Sequence, residues 1–127
     1  MRIEDYDSEC EVTDPAGVDA ALSKRQGDGL NSFWLSHEPE EFPVINILVK
    51  GDLAYVHYFP KDRHPGFASA AKEPGPRPNE TSIFFEYPTE KMWVLNSALI
   101  PFSDALKAAR EFALSATRPS CIQWSEL

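Results

Sequence analysis

Apolar residues along this chain change period twice, and the changes predict its elements. From Phe102 to Ala113 they recur at spacings of three and four. Phe102, Ala105, Leu106, Ala109, Phe112 and Ala113 share one helical face, with Lys107, Arg110 and Glu111 on or beside the other. Ser103 suits the N-cap of this helix, and Asp104 favours the positive end of its dipole. Arg118-Pro119 should stop it, because proline biases the preceding residue away from helical angles. Cys121 to Trp124 then has strand composition. A shorter helix is predicted over residues 15–26, started by Thr13-Asp14-Pro15, carrying Val18, Ala21 and Leu22 on a narrow face, and ended by Gly27-Asp28-Gly29.

Between the helices the period falls to two. Asn31–Leu35 reads as a strand, and Pro43–Lys50, rich in β-branched residues, is the strongest strand pattern in the chain. Gly51-Asp52 separates it from Leu53–Phe59, which makes an antiparallel hairpin. In the second arm Leu53, Tyr55, His57 and Phe59 share one face, and Ala54, Val56 and Tyr58 the other. Gly66–Ala71 is a small-residue strand, Thr81–Tyr87 and Lys91–Asn96 are two more, and Cys10–Thr13 is a short, weakly patterned one. Residues 37–41, 60–65 and 72–80 carry prolines and charges and read as loops. The predicted fold class is α+β: an antiparallel meander sheet of five to six strands, with a short N-terminal helix and a C-terminal amphipathic helix packed on it, in one domain over residues 1–127.

Composition narrows the class. A hydrophobic content of 43% and an aromatic content of 12% argue against a disordered chain. No apolar run approaches the roughly 20 residues that span a bilayer. The first ten residues, MRIEDYDSEC, are polar and acidic, the opposite of a signal peptide, so the expected location is the cytoplasm. There Cys10 and Cys121, at opposite ends of the chain, are expected as unpaired thiols.

Charge says more than size. Residues 1–41 hold eleven acids against three bases, which accounts for the whole formal charge of −8, and residues 42–127 hold nine of each. Nucleic acid and anionic membrane are poor partners for such a chain, and a basic partner is a good one, because complementary charge speeds encounter. Acidic surface also serves plain solubility.

Little in the sequence points to catalysis. His37, His57 and His64 do not stand at helical ligand spacing, so no metal site is expected, and His37 and His64 read as loop residues. There is no G-x-S-x-G elbow, Walker loop or G-x-G-x-x-G, and no cofactor is expected. A small enzyme would need a polar pocket around His57 and His64. Trp93 and Trp124 read as structural, each in an apolar strand beside the helix-packing surface. Trp34 and Phe42 instead border the acidic loop of Glu38, Glu40 and Glu41. Aromatics edged by fixed charge suit a protein interface, though both also sit where strand ends meet a core.

Ile100-Pro101, then Ala105-Leu106, Ala108-Ala109, Glu111-Phe112, Arg118-Pro119 and Trp124 resemble the first immunity-protein family of bacterial polymorphic toxin systems, in a pattern common among its actinobacterial members. The likeness covers about residues 90–124, with support back to about 43, and leaves residues 1–42 outside. It implies a small cytosolic α+β protein, without catalysis, that binds and inhibits a cognate toxin domain, often a nucleic-acid deaminase or nuclease. It also implies that Arg118-Pro119 with Trp124 is framework. No family contact residues transfer. Toxins that act on nucleic acid present basic clefts, which an acidic face can fill. The expected contact surface is therefore Trp34, Glu38, Glu40 and Glu41, supported by Asp5, Asp7, Glu9 and Glu11. An interaction or regulatory module with some other basic partner is the alternative.

Overall fold

A computed structural model describes residues 1–127. In chain order the elements are β1 (Arg2–Glu4), β2 (Glu9–Glu11), α1 (Pro15–Leu22), β3 (Leu30–Ser36), β4 (Val44–Lys50), β5 (Leu53–Phe59), β6 (Phe67–Ala70), β7 (Thr81–Tyr87), β8 (Glu90–Leu95), β9 (Ile100–Pro101), α2 (Phe102–Ser115) and β10 (Gln123–Glu126). The α+β class is as predicted, but the strands are more numerous and form two sheets. Eight make the main sheet in the order β10-β6-β5-β4-β3-β1-β2, with β9 also paired to β5, while β7 and β8 form a separate hairpin. Each pairing is antiparallel. The meander holds from β3 to β6. Beyond it, β1 slots between β3 and β2, and both are three residues long, too short to show an alternation in sequence.

The register of β3, β4 and β5 sorts their side chains onto two faces. Phe33 and Leu35, Ile45, Ile47 and Val49, and Ala54, Val56 and Tyr58 join the residues of both helices in one core. Val18 and Leu22 of α1 and Ala105, Ala108, Ala109 and Phe112 of α2 complete it, all fully buried. Burying a large aliphatic or aromatic side chain contributes about 1.5–3 kcal/mol, so this face holds most of the fold's hydrophobic stabilisation. The three alanines let α2 approach the sheet closely. Across the helix pair, Arg110 donates to both carboxylate oxygens of Asp19, at 2.7 and 2.6 Å. Those hydrogen bonds hold the Asp19 carboxyl below its ordinary range.

The helix ends differ from the sequence reading. α1 stops at Leu22, not at 26, and Asp14 is its N-cap, accepting from the Gly17 amide at 2.8 Å. α2 begins at Phe102 with no side-chain cap, so Ser103 does not act as one. Instead the Phe102 amide donates to the Asp52 carbonyl at 2.7 Å. It ends at Ala116 in the left-handed conformation (φ 54°), two residues before Arg118-Pro119. The final strand runs two residues later than predicted. Trp124 within it packs on Tyr58 and donates its indole N–H to the Pro119 carbonyl at 2.7 Å. Arg118 lies over the Phe67 ring, 4.3 Å from its centroid. These contacts tie the turn after α2 to β6 and β10.

The β7–β8 hairpin lies on the other face of the main sheet, where Phe84 and Val94 bury against Leu48 and Tyr55. Tyr6 donates to the Phe85 carbonyl at 2.6 Å and Lys50 to the Ile83 carbonyl at 3.3 Å, which ties the free edge of β7 to the sheet. Trp93 is not the packed residue the sequence suggested. It pairs across from Ile83 on the hairpin's outer side and is 63% exposed. No helix is long and apolar enough to cross a membrane.

Candidate functional site

The hairpin covers only one end of the sheet's second face. At the other end Trp34, Ser36, Val44 and Phe59 form the floor of an open cavity of about 550 Å³. These four follow from strand alternation: each has the parity opposite to Phe33, Ile45 and Tyr58, which face the helices. The β3–β4 loop makes one wall with Glu38, Glu40, Glu41 and Phe42. Arg2 and Glu4 of β1 make a second, and Tyr87, at the hairpin's turn, a third. The floor is a run of rings. Trp34 and Phe59 are stacked with centroids 6.2 Å apart, and Phe59 stacks on His57 at 3.9 Å. The Trp34 indole N–H is shielded from solvent and has no acceptor.

Two anchors position the acidic loop. At its start the His37 Nε2–H donates to the Phe112 carbonyl at 2.8 Å, and the ring packs edge-on against Phe112. His37 is thus a strut to α2, not the plain loop residue its sequence context suggested. The second anchor is Arg2, whose guanidinium donates to Glu38 Oε1 at 3.1 Å and to Glu9, with Glu4 3.5 Å away. Such pairing keeps the Arg2 guanidinium firmly protonated. Glu40 and Glu41 have no cationic partner, and both are exposed. The cavity therefore carries paired carboxylates on its β1 side and unpaired ones on its loop side.

Of the eight residues expected at the surface, the fold gathers Trp34, Glu38, Glu40 and Glu41 in this cavity and brings Glu9 to its edge through Arg2. It does not bring in the other three. Asp5 accepts from the Asp7 and Ser8 amides and closes the β1–β2 turn. Asp7 lines a neighbouring hollow with Tyr6 and Gln26. Glu11 lies 3.6 Å from the Met1 amino group. Sequence reasoning missed Arg2, Glu4, Phe59 and Tyr87. The parity of Phe59 and Trp34 was available, but nothing local places β1 or the hairpin turn beside them.

The His57–His64 region offers no comparable site. His57 is half-buried, which pushes its pKa down, and its Nε2–H donates to the Pro65 carbonyl at 2.8 Å. His64 Nδ1 accepts from the Gly66 amide at 2.8 Å, and its ring stacks on Phe67. Both imidazoles bind the turn before β6. Gly66 sits there at φ +88°, where a Cβ would come 2.7 Å from His57 Nε2, so only glycine fits. No group of three His, Cys, Asp or Glu side chains is placed to hold a metal ion. Cys10 and Cys121 are both free and exposed.

The profile of the family described as immunity protein Imm1 matches residues 6–126. The chain is 28% identical, over 128 aligned positions and the full length of both proteins, to the double-stranded DNA deaminase immunity protein of Burkholderia cenocepacia (strain H111). The match from residue 6 takes in the acidic first third that the likeness read from the sequence left outside. This chain belongs to the Imm1 family of immunity proteins.

Proposed function

We propose that this immunity protein neutralises a cognate nucleic-acid-acting toxin domain by placing its acidic, aromatic-floored cavity against the toxin's basic cleft. The toxin class follows the relative, whose name specifies a double-stranded DNA deaminase. The observation that carries the reading is the pair of unpartnered carboxylates, Glu40 and Glu41, beside Trp34 on the open half of the sheet. A cleft that holds phosphates presents arginine and lysine to anions. Carboxylates fixed on a β-hairpin loop can take the phosphates' place, while the aromatic floor supplies apolar contact area. Inhibition is then by occupation of the cleft in the cytoplasm of the producing cell, with no chemistry performed by the immunity protein.

The test is the variant Glu38→Lys/Glu40→Lys/Glu41→Lys against the cognate toxin domain. All three side chains lie on an exposed loop, so the fold should survive, as circular dichroism can check. Affinity at low salt should fall at least about a hundredfold, mostly through a slower association rate, and added salt should shrink the difference. Unchanged affinity would move the interface elsewhere.

A further inference from the structure

We infer that the cavity over Trp34 and Phe59 is a receptor for one arginine side chain of the partner, its guanidinium plane laid on the ring floor and its N–H edges on Glu40 and Glu41. This rests on the proposed role of the cavity as the toxin-binding surface. Two features select a guanidinium over an ammonium. The floor's rings are near-parallel: Trp34 and Phe59 are inclined by 22° with centroids 6.2 Å apart, and His57 stacks on Phe59 at 16°. The rim carries carboxylates from the loop and from β1; its one cation, Arg2, is engaged with Glu38 and Glu9, so Glu40 and Glu41 are left as unpaired acceptors. A planar cation can satisfy both at once, by stacking with its face and donating with its edge, whereas an ammonium is a compact, strongly hydrated point charge.

The chain itself uses both halves of this arrangement. Arg25 lies over the Phe102 ring at 4.4 Å and Arg118 over Phe67 at 4.3 Å, so guanidinium stacking recurs in this fold. Arg2 shows the rim accepting a guanidinium edge: it holds Glu38 and Glu9 in place and leaves Glu40 and Glu41 for an incoming cation. The volume, about 550 Å³, admits a long side chain together with part of the segment that carries it.

The experiment titrates the full ¹⁵N-labelled chain with N-acetyl-L-arginine methylamide and, separately, with its lysine counterpart. The Trp34 indole signal is identified by its absence in Trp34→Phe. The arginine probe should give saturable shifts in the Trp34 indole and in the amides of residues 36–42, and it should bind at least about fivefold more tightly than the lysine probe. Glu40→Gln/Glu41→Gln should abolish the response. Equal responses to both probes, or no shifts at these residues, would overturn the arginine assignment. If the toxin complex is still weakened by reversing the loop charges, the docking surface would stand while the arginine receptor falls. If the reversal leaves toxin affinity untouched, the docking surface itself falls.

Discussion

The two faces of the central sheet are finished in opposite ways. One is sealed by α1 and α2, with Ala105, Ala108, Ala109 and Phe112 pressed onto Ile45, Ile47 and Val56, all fully buried, and Phe102, Leu106 and Trp124 partly buried at its margin. The other is closed by the β7–β8 hairpin over half its length, where Phe84, Val94 and Leu48 form a core of three residues. Its remaining half is an open hollow floored by rings and edged by carboxylates. The same strands supply both faces, through alternate residues. On the proposed docking mode, the difference teaches that stability and recognition occupy opposite sides of one sheet. Substitutions on the recognition side can change partner preference without touching the main core.

That division can be broken from the helix side most severely. Phe112→Ala should cost about 3–5 kcal/mol, since the ring is fully buried and its loss also leaves His37 without its packing partner. Equilibrium denaturation would show the loss as a global fall in stability. A cost within the range of a surface substitution would mean that the helix face is not the main core. Phe84→Ala sharpens the comparison. It should lower global stability by about half as much, because the hairpin can open while the eight-stranded sheet stays paired. Native-state hydrogen exchange should show protection lost over residues 81–95 and kept in β3, β4 and α2. Uniform loss across the chain would mean that the two faces are one cooperative unit.

Much of this was readable before the fold was known, and the reasons are local. The periodicity of Phe102 to Ala113 fixes α2, and the alternation of Leu53 to Phe59 assigns its faces correctly, because both signals lie within one element. Trp34 and the loop carboxylates come together for the same reason: they belong to one β3–β4 connection. What the sequence hid is non-local. Arg2 reaches Glu38 across 36 positions because β1 pairs with β3, and a three-residue strand has too few positions to show an alternation. Tyr87 closes the cavity from a hairpin that leaves the meander and crosses back over the sheet. Acidic composition also grouped residues that the fold separates. Asp5 is spent on a turn and Glu11 sits beside the chain's amino group, so an even count of acids overstates the charge available to a partner. Trp93 was misread because an apolar strand alone does not reveal that its hairpin has an outer face in water.

The most direct measurement is a hydrogen-exchange footprint of the complex with the cognate toxin domain, taken alongside its inhibition. Protection should be gained in residues 34–43, in β1 and around Tyr87, with the outward surface of α2 near Lys107 and Leu114 exchanging as in the free protein, and the toxin's activity should be lost. Protection gained on the outer side of α1 and α2, with residues 34–43 unchanged in an inhibited complex, would contradict the assignment of recognition to the open face.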